Sequence, residues 1–135
     1  MANITNVQLL EDIFGYFPSF HDAEVLRIVL DRKGEGRSPT LEARVHVFEM
    51  TSEVVDGKYV LRHHTLVTFE FVGVDELALE GFNGQNVLQE LSIVEISDRQ
   101  SDVLKFEVQF YGIFGVEMGF RCRDVRIESA EPFQK

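Results

Sequence analysis

The sequence predicts a mostly β (α+β) domain: a curled antiparallel sheet of about seven strands, sandwich-like or half-barrel, with one N-terminal helix. Three observations predict it. From Leu26 onward, apolar and polar side chains alternate with a period of two in run after run. Gly, Pro, Asn and Asp punctuate these runs at roughly the 8–12-residue spacing of all-β folds. No helical pattern separates consecutive strands, whereas a parallel α/β sheet needs long, usually helical crossovers.

The helix spans about residues 5–14. Val7, Leu10, Ile13 and Phe14 recur at steps of three and four, with Gln8, Glu11 and Asp12 on the opposite side. Thr5 or Asn6 caps its start and Gly15 ends it. Beyond Pro18 the β body runs to about residue 128. Leu26, Ile28 and Leu30 mark a first strand, and Leu41, Ala43, Val45 and Val47 a second, with 32–39 as the hairpin loop between them. Asp56-Gly57 is a tight-turn dipeptide leading into a third strand, Tyr59–Phe71. Both faces of that strand carry bulky apolar groups, so it is expected to be central and covered on both sides. Gly73 introduces a bend before a short strand at Leu77 and Leu79. Residues 81–86 read as a loop, and a capped helical turn is expected through Val87, Leu88 and Glu90. Strands follow at 91–96 and 104–110, then a last one through Val116, Met118, Phe120 and Cys122 that breaks phase at Asp124. Residues 129–135 read as a polar tail.

The 135 residues suit one domain with a core that needs no staples. Core volume comes from Phe, with twelve Phe against three Tyr and no Trp. The single cysteine, Cys122, makes an intrachain disulfide impossible, and on its apolar strand face it is expected to act as a small hydrophobe. No basic region precedes an apolar run at the start, and no apolar stretch approaches the ~20 residues of a membrane helix. A cytoplasmic location is therefore expected. The formal charge of −10 argues against nonspecific binding to nucleic acid or an anionic membrane.

The charge is unevenly spread. From Thr65 to Asp98 there is no Lys or Arg, while Asp75, Glu76, Glu80, Glu90, Glu95 and Asp98 all fall there. These six are the candidate partner-binding residues, since an acidic surface steers a basic protein. Glu95 and Asp98 are an odd step apart, so the patch has to form across neighbouring strands and loops. The second candidate is the cluster His21, Asp22 and Glu24 between Pro18 and the first strand. It reads as a structural corner in which Asp22 accepts from backbone amides. It is also the most suggestive short cluster for a metal or proton-transfer site. The histidines fit no H-x-x-x-H pattern, although His46 and His64 can meet across paired strands. Gly112, Gly115 and Gly119 fit no phosphate-loop pattern and are read as turn and packing glycines. No motif calls for a cofactor.

The string Phe14-Gly15-Tyr16-Phe17-Pro18-Ser19-Phe20-His21-Asp22-Ala23-Glu24-Val25, with Leu79-Glu80-Gly81-Phe82-Asn83-Gly84-Gln85-Asn86-Val87-Leu88, resembles the Immunity protein 50 family of bacterial polymorphic-toxin systems. The similarity spans most of the chain, from the first helix to the Arg121-Cys122-Arg123 strand. It implies a cytoplasmic protein that binds and neutralises a cognate toxin and is not an enzyme. It carries over no catalytic or binding residues. The acidic balance agrees with a basic toxin. Two alternatives stay open. One is a small metal- or ligand-binding β domain or enzyme using His21, Asp22 and Glu24. The other is a ligand module stacking its target on Tyr59, Tyr111 or Phe114. Self-association through a sheet edge is also open.

Overall fold

The computed structural model describes residues 3–36, 38–96 and 104–133. A short helix, α1 (Gln8–Phe14), precedes eight strands: β1 (Glu24–Glu35), β2 (Ser38–Val55), β3 (Lys58–Val72), β4 (Asp75–Glu80), β5 (Val87–Glu95), β6 (Phe106–Phe114), β7 (Glu117–Cys122) and β8 (Asp124–Pro132). All strand pairs are antiparallel, in the order β4-β7-β6-β5-β1-β2-β3-β8.

The sheet curls over on itself. In a flat sheet, β3 and β6 would lie four strand spacings, or about 19 Å, apart. Instead Phe71 of β3 meets Phe110 of β6 with ring centroids 6.0 Å apart and Phe120 of β7 at 4.9 Å, both edge to face. Phe69, Phe71, Phe110 and Phe120 fill this interior with Leu41, Val45, Val67, Val108 and Met118. Leu10 and Phe14 of α1 close one end of it.

The curl is made at one corner. β3 passes into β4 through Gly73 and Val74, and β7 passes into β8 through Arg123, so two paired strands change direction together. The ladder holds through the bend, where the Arg123 amide donates to the Val72 carbonyl at 2.9 Å. Gly73 has φ +73°, and a Cβ there would meet the Arg123 Cβ at 3.0 Å. Glycine is required because the backbone is left-handed and the opposite strand presses on it. The amides of Gly73 and Val74 both donate to the Pro39 carbonyl, tying the corner to the start of β2. Bends that carry strands from one layer to another are how sheets fold into two-layer cores.

Several expectations are corrected. The helix starts at Gln8 rather than about residue 5, and neither Thr5 nor Asn6 caps it, because Thr5 bridges to Arg126 and the Asn6 side chain bonds to the Ile127 carbonyl. The last strand, expected to break phase at Asp124 and continue through Val125 and Ile127, is two strands divided at Arg123, which makes eight among the described residues where about seven were expected. Residues 87–90 are strand and not a helical turn, because their backbone groups bond to residues 22–25 on one side and pair with β6 on the other. A bulge between Val25 and Arg27 takes Leu26 out of the buried phase; Ile28 packs on the core but Leu30 is half exposed. The tail is structured through Phe133. β8 continues to Pro132, and Phe133 donates its amide to the His64 carbonyl and stacks on His46 at 4.0 Å.

Cys122 is fully buried, and burial, with the Asp124 carboxylate nearby, pushes its thiol up to about 12. A thiol in an unfolded chain ionises near pH ~8.5, so between these values the unfolded state gives up a proton that the native state keeps. Unfolding then becomes more favourable as pH rises. Urea titrations across pH 8 to 11 are expected to show the wild type losing stability above about pH 9 more steeply than Cys122→Ala, approaching ~1.4 kcal/mol per pH unit. Equal slopes would contradict this.

Candidate functional site

The two half-sheets, β1-β2-β3-β8 and β4-β7-β6-β5, meet at a ladder junction of a single residue pair, Glu24 and Val87. The segment before β1 extends this seam. The Ser19 carbonyl accepts from the Leu91 amide at 3.1 Å, and the Asp22 amide donates to the Leu88 carbonyl at 2.8 Å. The Leu88 amide donates to Ala23, and the Val25 amide to Asn86, both at 2.8 Å. Phe20 and Asp22 hold φ of +66° and +64° to make this path. An aspartate tolerates that region; a phenylalanine there is an outlier that its surroundings must hold in place. They do so through burial, with Phe20 packed against Phe17 and Phe69 at ring distances of 5.7 and 5.6 Å.

His21, Asp22 and Glu24 belong to this seam. His21 is exposed, and its Nδ1 lies 3.0 Å from the Gln89 carbonyl. A carbonyl only accepts, so Nδ1 carries the hydrogen. Its Nε2 sits 3.6 Å from the Asp22 carboxylate in an exposed pair. The expectation that Asp22 accepts from backbone amides is corrected: the Ser19 hydroxyl takes the His21 amide, while Asp22 contributes its own amide to Leu88. Glu24 lies within β1, opposite His46 of β2 and Val87 of β5. Among the described residues no three His, Cys, Asp or Glu side chains are grouped to hold a metal ion.

The residue that secures the seam from the other side is Asn86, which sequence reasoning placed only in a loop or at a helix cap. It is buried, and its side chain makes four hydrogen bonds. Oδ1 accepts from the amides of Asn83 at 2.9 Å and Val116 at 3.2 Å. Nδ2 donates to the carbonyls of Asn83 at 2.7 Å and Val25 at 3.4 Å. One amide group thus ties the 81–86 loop, β1 and the residue just before β7 together. Two left-handed glycines, Gly81 and Gly115, let these backbones close up; a Cβ on Gly115 would meet the Gln85 carbonyl and Asn86 Oδ1.

His46 Nε2 and His64 Nδ1 meet at 2.9 Å, as the strand pairing allowed. Tyr59 lies on β3 in one half-sheet, whereas Tyr111 and Phe114 lie on β6 in the other, so the three do not form one platform.

The six acidic candidates separate. The register places Glu80 opposite Glu117, and Glu90 opposite Tyr111, on the outer face of β4-β7-β6-β5. Glu76 reaches that face beside Arg121, at 3.5 Å. Asp75 turns its carboxylate to the Glu76 amide at 2.8 Å. Glu95 is opposite the buried Phe106, in the inward phase, and accepts from the Asn3 side chain. Asp98 lies outside the described residues. Sequence reasoning missed Glu107 and Glu117, which lie beyond the cation-free stretch but share the outer face by alternation with Val108 and Met118. Together Glu76, Glu80, Glu107 and Glu117 bank a shallow groove of about 750 Å³. Its floor is low because Ala78 is opposite Gly119.

The family model for Immunity protein 50 matches residues 6–133. The chain belongs to the Immunity protein 50 family. No curated protein and no solved structure matches it. Both strings that carry the family resemblance, 14–25 and 79–88, lie largely along the seam. Within this Immunity protein 50 chain they hold the two half-sheets together.

Replacing Asn86 with Ala removes the partner of four backbone groups, of which the Val25 carbonyl and the Val116 amide are in buried bonds, so Asn86→Ala is expected to cost at least ~2 kcal/mol in a denaturant melt. Asp22→Asn, which removes a half-exposed charge but keeps a side chain suited to the left-handed backbone, is expected to stay within ~1 kcal/mol of wild type. The reverse order would sink the assignment of the seam to Asn86.

Proposed function

We propose that this chain binds a cognate bacterial toxin in the cytoplasm and neutralises it by direct protein–protein contact, without catalysis or cofactor. The observation that carries the reading is the family match over residues 6–133. The surface that fits it best is the outer face of β4-β7-β6-β5, where Glu76, Glu80, Glu90, Glu107 and Glu117 stand with Arg121. Arg121 lies within reach of Glu76 and Glu107, which leaves the Glu80, Glu117 and Glu90 end the more negative. Carboxylates on a concave surface speed the approach of a cationic protein and can occupy positions that a substrate's phosphates would take. A basic toxin acting on nucleic acid is the target chemistry this surface suits. The net charge of −10 makes the chain itself a poor nucleic-acid ligand and reinforces the same steering.

The test is co-expression with a toxin domain, sought among the genes neighbouring this one. Cells carrying both are expected to grow, and the two purified proteins to form a complex. A double charge reversal, Glu80→Lys with Glu117→Lys, is expected to lower the association rate by about tenfold or more at low salt. Continued killing of cells that accumulate the folded protein would overturn the reading.

A further inference from the structure

We propose that the free edge of β4 receives an extended, lysine- or arginine-bearing segment of the toxin as a ninth strand. The inference rests on the toxin-binding reading above and names the element that does the binding.

An open sheet has two edges, and this chain treats them differently. At the β8 edge, the stretch before α1 runs alongside the strand. Thr5 forms a parallel bridge with Arg126, its amide donating to Val125 and its carbonyl accepting from Ile127, at 3.0 and 2.9 Å. The Asn6 side chain adds a bond to the Ile127 carbonyl at 3.1 Å. That edge is covered from Val125 to Ile127, in the first half of β8. At the other edge, all six residues of β4 are exposed, and among the described residues β4 pairs with β7 alone. An uncovered strand presents a row of unpaired amides and carbonyls and is a template for a further strand.

The charges on β4 decide which strand fits. A second copy does not. Paired antiparallel about its midpoint, β4 sets Asp75 against Glu80 of its copy; paired parallel in register, it sets each carboxylate against itself. Like charges directly opposite are destabilising. A cationic strand meets the reverse situation. Glu80 already faces Glu117 across the β4–β7 ladder, an unfavourable pairing, and the Glu117 carboxylate accepts a backbone amide, from Gly112 at 2.7 Å. A Lys or Arg side chain lying over the low floor at Ala78 and Gly119 would relieve that repulsion. On the other face of β4, Leu77 and Leu79 remain 37% and 39% exposed beside the core. Leu79 is opposite the buried Met118. Alternate apolar residues of the incoming strand would cover them. The expected toxin segment therefore alternates basic and apolar side chains over about six residues, the length of β4.

The experiment uses the full chain with the toxin domain that the co-expression test identifies as its partner. Amide hydrogen exchange is followed by mass spectrometry, free and in complex. Two variants, Ala78→Pro and Leu79→Pro, are assayed for binding alongside wild type. Amides of adjacent strand residues point to opposite edges, so one of the two prolines removes an outward donor and spares the ladder to β7. The expected result is strong protection of residues 75–80 on complex formation. The variant that keeps the wild-type melting temperature is expected to bind about tenfold or more weakly for the one ladder bond removed. A complex that protects other segments and leaves 75–80 exchanging freely would refute strand addition while the immunity reading stands. So would a folded proline variant with wild-type affinity. No complex at all would remove the immunity reading, and this inference with it.

Discussion

The structure depends on the seam between its two half-sheets. Within each half, ladders run for many residues; between the halves the ladder proper is a single pair, Glu24 and Val87. The remaining attachment comes from irregular backbone, residues 19–25 lying along β5, and from the side chain of Asn86. A buried primary amide has two donors and two acceptor sites, and Asn86 uses all of them. Buried polar groups in this state specify geometry more than they add stability, because every alternative arrangement leaves a donor or acceptor unpaired. The left-handed Phe20 is tolerated for the same reason, with its ring fixed against Phe17 and Phe69 while the backbone beside it bonds to β5.

The seam and the corner divide the work of shaping the core. The corner at Gly73 and Arg123 turns two strands at once and so brings Phe71 over Phe110 and Phe120. The seam fixes how the opposite ends of the halves approach. With both in place, one sheet encloses a two-layer phenylalanine core without closing into a barrel. An unclosed sheet keeps two edges, and the cover over β8 shows that one of them is blocked by the chain itself. The edge at β4 carries Asp75, Glu76 and Glu80, charges of the kind that stop identical chains from pairing.

The fold was legible wherever a residue's position follows from local alternation. The second strand, the extent of the third, the Asp56-Gly57 turn and the bend at Gly73 were readable for that reason, although β3 lies beside the edge strand β8 and buries one face rather than two. Alternation failed where long-range bonds decide. Val87 to Glu90 carry a good helical cap signal, but their backbone is committed to residues 22–25 and to β6, which no window around residue 87 contains. Leu26 was misplaced because a bulge shifts the register without a marker such as glycine. The acidic face was half legible. A cation-free stretch pointed to Glu76, Glu80 and Glu90, but Glu107 and Glu117 come from strands brought alongside by topology, and Glu95 faces the other way by simple parity.

The separation between seam and surface bears on what the family motifs mean. The strings Phe17-Pro18-Ser19-Phe20-His21-Asp22-Ala23 and Gly81-Phe82-Asn83-Gly84-Gln85-Asn86 look functional because they mix aromatic, acidic, histidine and amide side chains in a short span. In the structure most of that chemistry is turned on the chain's own backbone: the Ser19 hydroxyl on an amide, His21 on the Gln89 carbonyl, Asn83 and Asn86 on their neighbours. Side chains already engaged in this way have little capacity left for a partner. Apart from Glu117, which holds the Gly112 amide, and Asp75, which holds the Glu76 amide, the carboxylates of β4, β6 and β7 contribute little to holding the fold, since exposed ion pairs such as Arg121 with Glu76 are worth little to stability. They are therefore free to differ without unfolding the protein. A scaffold fixed by its seam and variable on its acidic face can be matched to a partner by changing surface side chains alone, because the constraint that makes the fold does not pass through them.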